Sequence, residues 1–200
     1  MVAVPPLFPV HGPAPSEEPR FRLSNVPWAT YVVLRDTLEG GNLRMTYLEG
    51  ELEIMSPSKG HEVSKKQVAR LLELFCLERD IPLFGYGSTT WRKEEKQRGL
   101  EADECYSRGE DKELPDVALE VIVSSALLDK LDVYRGLGVR EVWLFEDGAF
   151  RVLSRGDAGY AEIEKSRVFP EVDLRRIAHY AGMKDQHEAL RAFRAELRGS

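Results

Sequence analysis

The chain has 200 residues, a formal net charge of −6, 42% hydrophobic and 31% charged residues. That length supports one domain with its own core, and the acidic balance excludes a generic nucleic-acid-coating protein while leaving room for a local basic groove. No apolar run approaches the roughly 18 residues a membrane helix needs, so no membrane contact is expected.

Residues 1–26 hold six of the eleven prolines. Proline removes backbone donors and blocks helix, so this stretch is expected to be an extended or disordered arm, with 27–200 forming a single domain. Its start, "MVAVPPLFPV", is short, broken by proline and lacks a basic leader, so it is not read as a signal peptide. "PWATYVVLRDTLEGG" predicts a helix opened by Pro27 and stopped by Gly40-Gly41. "LRMTYLEGELEIMSP" alternates around Glu49-Gly50 and predicts a hairpin.

"HEVSKKQVARLLELFCLERD" is the clearest helix. Val63, Val68, Leu71, Leu72, Phe75 and Cys76 form its apolar stripe, and Lys65, Lys66 and Arg70 its polar face. Cys76 reads as a buried thiol; with Cys105 it makes neither a metal spacing nor a disulfide framework, so a reducing cytoplasm is the expected compartment.

Short strands follow in "IPLFGYG", "STTWRKEEKQRGL", "EADECYS" and "DVALEVIVSS". "ALLDKLDVYRGLG" predicts a helix capped by Ser124 or Ser125 and stopped at Gly138. A strand meander with turns at 147–148 and 157–159 comes next, then two helices broken near Gly182. This order predicts an α+β fold, a mixed sheet flanked by helices.

"PDVALEVI" poses a problem, because it places Asp116 and Glu120 in a run that otherwise reads as buried. Residues paired across an antiparallel hairpin have a constant index sum. A turn centred between Glu110 and Lys112 gives a sum near 222 or 223, which sets Asp103 opposite, or nearly opposite, Glu120. Facing like charges destabilise a sheet, and a bound divalent cation reverses that sign. Solvation near strand ends is the simpler alternative, but a carboxylate within a buried run needs a partner. Asp116 lies four residues from Glu120, roughly 13 Å at about 3.3 Å per residue, too far to share one metal. It reads as the start of the strand.

Four stretches, "LEIMSPSKGHE", "GSTTWR", "RGLEADECY" and "LEVIVSSALLDKLDVYRGLGVREVWLF", resemble in order and spacing the Uma-two family of endonucleases, within the restriction endonuclease-like PD-(D/E)XK superfamily. The resemblance implies a restriction endonuclease-like core and a metal-dependent phosphodiesterase. It matches Asp103 to the motif's aspartate and Glu120 to its second acid. Both would ligate Mg²⁺, with Mn²⁺ as a substitute, and the Val121 carbonyl would be a third ligand.

There are two departures. Ala102 stands where the motif has proline, and Ile122 stands where it has the lysine that would share Glu120's strand face. Lys130, which matches a lysine of the family pattern, is the expected replacement: it would align water or steady phosphate charge. Its alternatives are an ion pair with a helix neighbour or plain solvation.

Supporting positions are His61, Glu62 and Tyr134. His61 matches a family histidine and is a cap or a site residue. Glu62 is a site carboxylate or simply complements the helix start. Tyr134, four residues after Lys130, shares its helix face and either orients it or packs. Glu51 and Glu53 share one face of their strand; Glu53 either approaches the site or, the preferred reading, lies on an exposed face of the hairpin. Trp91, Arg92, Lys93, Lys96 and Arg98 form a basic stretch that either tracks a nucleic-acid backbone or is a solvated loop.

The leading expectation is an endonuclease acting on nucleic acid, DNA in the first place. The alternative is a catalytically degenerate module that binds nucleic acid or protein. The last meander strand also offers an edge for a homodimer.

Overall fold

The computed structural model describes residues 18–38, 41–124 and 128–199. Among these residues lie eleven strands and five α-helices. In chain order they are β1 (Arg20–Leu23), α1 (Trp28–Thr37), β2 (Arg44–Leu48), β3 (Glu51–Met55), α2 (Lys59–Glu78), β4 (Leu83–Gly85), β5 (Thr90–Lys93), β6 (Arg98–Glu101), β7 (Glu104–Arg108) and β8 (Val117–Ile122). They continue with α3 (Lys130–Leu137), β9 (Glu141–Glu146), β10 (Ala149–Gly156), β11 (Gly159–Ile163), α4 (Leu174–Ala181) and α5 (Gln186–Gly199). No described helix is long and apolar enough to cross a membrane.

The strands form two sheets. One has the order β1-β3-β2-β6-β5 and is antiparallel throughout. The other has the order β11-β10-β9-β8-β7-β4 and is mixed, with β8 and β9 parallel. A parallel pair needs a crossover, and α3 lies on that connection. The fold is α+β, as the element order predicts.

The tight turns follow their residues. Glu49-Gly50 and Asp147-Gly148 carry positive φ at both positions, with Glu49 at 48° and Gly50 at 94°, the backbone a two-residue hairpin demands. Gly138 ends α3 at φ 103°. The start of α3 differs from expectation. Its cap is Asp129, which accepts from the Asp132 N–H at 3.1 Å. Ser124 is not the cap, and Ser125 lies outside the described residues.

The proline-rich arm is also corrected at its end. Residues 1–17 lie outside the described residues, but Arg20–Leu23 is a sheet strand. It pairs with β3 in the register Arg20↔Met55 to Leu23↔Leu52. This segment belongs to the folded body, because its backbone groups complete the β3 ladder.

The alternation of β8 divides the core. Val117, Leu119 and Val121 pack with Val68, Leu72, Phe75, Trp143 and Phe193 under α2, α4 and α5. Ala118 packs on the opposite side with Cys105, Val133, Tyr134 and Leu137 of α3. Glu120 has the parity of Ala118 and so faces α3. A third cluster, Tyr31, Met45, Tyr47 and Leu52, seats α1 on the first sheet. The stripe on α2 is shorter than expected: Val63 is 45% exposed. Lys65, read as polar-face, is buried.

Candidate active site

The two acidic strands meet in the register the index sum anticipates. Glu104 pairs with Leu119, Cys105 with Ala118 and Tyr106 with Val117, a constant sum of 223. One step further along that register stand Asp103 and Glu120. Asp103 occupies the joint between β6 and β7, where the chain passes from the first sheet to the second. Each carboxylate is 1% exposed. Asp103 Oδ2 accepts the Val121 N–H at 2.8 Å, which ties the aspartate to the strand bearing the glutamate.

Each carboxylate has its own cationic or donor partner. Lys130 Nζ lies 2.7 Å from Glu120 Oε2. The Tyr134 hydroxyl donates to Glu120 Oε1. Lys130 and Tyr134 sit one turn apart on α3, so both reach the same strand. The helix-neighbour alternative for Lys130 therefore gives way to the strand glutamate.

His61 reaches Asp103 from the first turn of α2. Ser58 caps that helix by accepting from the His61 N–H at 3.1 Å. The imidazole lies between two acids, with Nδ1 2.8 Å from Glu18 Oε1 and Nε2 2.9 Å from Asp103 Oδ1. These contacts have ion-pair distance without hydrogen-bond alignment, which leaves Asp103 Oδ1 a buried oxygen lacking an aligned donor.

A second set of side chains surrounds this core. Arg20 Nη1 lies 2.7 Å from Glu53 Oε1, and its Nη2 3.0 Å from Glu18 Oε2. Its Nε donates to Ser124 Oγ at 3.1 Å, and Ser124 donates to Glu18 Oε2 at 2.8 Å. Glu53 Oε2 accepts the Leu128 N–H at 3.1 Å. Glu53 is 1% exposed, which overturns the reading of its strand face as solvent-facing. Alternation with Leu52 and Ile54 distinguishes two faces but not which is covered, and both faces of β3 have a covered residue. Like Glu120, Glu53 is a carboxylate between apolar neighbours, and that is the signal in the sequence for its burial. Glu18 and Arg20 left no comparable signal, because their segment has no periodicity.

Burial and charge oppose each other here. Burial pushes the Asp103 carboxyl up, but the His61 contact, the Lys130 charge and the Val121 N–H outweigh it and hold it below the ordinary range. Glu120 moves the other way: burial, with repulsion from Asp103, raises it against the pull of Lys130 and Tyr134. Burial would lower Lys130, yet Glu120 and Asp103 raise it, so it stays an ammonium. His61 is likewise raised, because Asp103, Glu18 and Glu120 outweigh its burial. The two facing acids are thus driven apart in acidity, as expected of close like charges.

The acids of this site are oxygen donors of the class a hard divalent cation takes. Four carboxylates, Glu18, Glu53, Asp103 and Glu120, face two permanent cations, Arg20 and Lys130, so negative charge exceeds positive even with His61 protonated. Carboxylate oxygens are the ligands Mg²⁺ prefers, and Asp103 Oδ1 is the oxygen with no aligned donor. Both Glu120 oxygens already carry partners, so cation binding there competes with the Lys130 ammonium. No three His, Cys, Asp or Glu side chains among the described residues converge to hold a metal. The implied set has only two side-chain ligands and a backbone carbonyl.

Other sequence candidates lie outside this constellation. Glu62 pairs with Lys65 at 2.6 Å and Arg44 at 3.4 Å. Asp116 accepts from the Arg108 N–H at 2.9 Å and from Lys112 Nζ at 2.6 Å, a structural anchor for the β7–β8 turn. The basic stretch is stitched to its own fold: Trp91 donates to Cys105 Sγ, Arg92 pairs with Asp36, and Arg98 with Asp132. A cleft of about 990 Å³ between β10–β11 and α4 holds none of the acids described above. The constellation of converging charged groups, rather than that cleft, is the candidate site.

No curated protein matches the chain. The model of the Uma2 family, described as "Putative restriction endonuclease", matches residues 28–179. That stretch spans most of the chain and contains Asp103, Glu120, Lys130, Tyr134 and His61. The chain belongs to the Uma2 family, and its fold is restriction endonuclease-like.

Proposed function

We propose that the protein is a Mg²⁺-dependent endonuclease that hydrolyses phosphodiester bonds in DNA, with Mn²⁺ able to replace Mg²⁺. The observation that carries this reading is Asp103, just before β7, tied through the Val121 N–H to the strand that bears Glu120, with Lys130 on the second acid. Asp103 and Glu120 would hold the cation, and the Val121 carbonyl is the backbone candidate beside them. When bound, Mg²⁺ supplies positive charge to the phosphate and acidifies water.

The chain's own groups do the rest. Lys130, kept protonated by the acids around it, aligns the attacking water by hydrogen bonding or steadies charge on the phosphate. It takes the place of the strand lysine replaced by Ile122. Tyr134 fixes the Glu120 carboxylate, and His61 fixes that of Asp103. Glu62 is paired with Lys65 and Arg44.

Incubation of the protein with plasmid and with single-stranded DNA under Mg²⁺ or Mn²⁺ tests this reading. Cleavage lost in Asp103→Asn supports it. Absence of cleavage by the wild type, or equal cleavage by both, removes it.

A second reading is a binding module of the same fold without catalysis, favoured by Ile122 and by the Lys130 ammonium already seated on Glu120. A silent Mn²⁺ calorimetric titration with retained binding of nucleic acid or protein selects it. The edge position of β11 leaves a ladder side for a second copy, and sedimentation measures whether the protein is a homodimer.

A further inference from the structure

We infer that the N-terminal strand completes this site: Arg20 and Glu18, from a segment preceding the region matched by the family model, are positioning residues that hold Lys130 on Glu120 and His61 beside Asp103. This role rests on the proposed function for its catalytic meaning, but its geometry stands apart from it.

Lys130 is the first residue of α3, and Glu120 is near the end of β8. The ammonium reaches the carboxylate only if the start of α3 keeps its place relative to β8. Ser124 and Leu128 are the described residues flanking 125–127 on that connection. Arg20 and its partners grip both. On the β8 side, Arg20 Nε donates to Ser124 Oγ, and Nη2 lies 3.4 Å from the Ser124 carbonyl oxygen. On the α3 side, Arg20 Nη1 holds Glu53, whose other oxygen takes the Leu128 N–H.

One planar guanidinium thus spans the two ends of the connection. Only arginine offers several donors in a fixed fork, and a lysine would supply one charge without the spread. The Arg20 side chain is 10% exposed and that of Glu18 0%. Burial strengthens such contacts and makes them directional. Glu18 extends the same grip to the other acid: Oε2 takes Arg20 and Ser124, while Oε1 lies against His61 Nδ1. The pairing of β1 with β3 sets Arg20 opposite Met55, a diagonal step from Glu53.

The test uses full-length protein carrying Arg20→Lys, or the milder Ser124→Ala should the first fail to fold, with folding checked by urea denaturation. Lys130 is titrated with an amine-acylating ester, and its modification rate is read by mass spectrometry against half-buried Lys93 as internal control. Acylation of Lys130 is expected to accelerate about tenfold or more, the scale of losing hydrogen bonds to charged groups, with Lys93 unchanged. DNA cleavage is expected to fall in kcat with KM nearly constant.

A folded variant whose Lys130 reacts at the wild-type rate overturns the inference. So does equal acceleration at Lys130 and Lys93, which reports general loosening. If the wild type does not cleave DNA, the nuclease reading fails alone, and the acylation rates still decide whether Arg20 holds Lys130.

Discussion

Lys130 Nζ stands 2.7 Å from Glu120 Oε2, ten residues back along the chain and on a different element. A cation therefore already occupies the acid that a metal would need. Lys130→Met is expected to abolish DNA cleavage while tightening Mn²⁺ binding, because the ammonium that competes for Glu120 is gone. Without metal the variant loses about 3–5 kcal/mol, the cost of stranding one partner of a buried pair. Calorimetry with Mn²⁺, and urea denaturation with and without it, read both effects. Unchanged Mn²⁺ affinity would argue that Glu120 is not a ligand.

Tyr134→Phe removes the hydroxyl that donates to Glu120 and preserves ring packing in the cluster with Val133 and Leu137. The expected loss is about 1.5–3 kcal/mol, that of one hydrogen bond to a charged acceptor. A shift of the urea midpoint without a change in slope measures it.

Asp116 provides a pH test away from the site. Burial raises its pKa, but Lys112, the Arg108 N–H and Arg140 outweigh burial and lower it below the usual value. A carboxyl depressed on folding contributes stability that is complete above its unfolded pKa of about 4 and is lost as pH falls through the folded value. Asp116→Asn is expected to be less stable at pH 7 and to show a shallower loss between pH 5 and pH 2, ranges set by that linkage. Parallel acid curves for the two proteins would contradict the assignment.

The C-terminal helix lies beyond the matched region, yet Phe193 of α5 is fully buried and stacks with Phe75 of α2 at 6.4 Å between ring centroids. Phe193→Ala is expected to cost about 3–5 kcal/mol through lost burial and a cavity. Thermal or urea denaturation checks it. A near-neutral result would make α5 an appendage rather than part of the core.

The facing acids are legible in the sequence, because an antiparallel hairpin has one free parameter and the turn residues supply it. The stop at Gly138 was legible too, since few residues besides glycine adopt its backbone cheaply. The start of α3 was not: Ser124 and Asp129 are both good caps, and Ser124 is instead drawn to Glu18 and Arg20. Lys65 looked solvated from its helical position, but it lies against Glu62 and Ser88.

Local pattern alone was enough to set β7 against β8 and to place an aspartate and a glutamate face to face. Periodicity and turn chemistry act over a few residues, and that pairing is short-range. Which charges answer those acids was settled only by tertiary packing. Glu18 meets His61 from 43 positions away and Ser124 from 106. Such contacts depend on how sheets and helices stack, and no period in the chain encodes that distance.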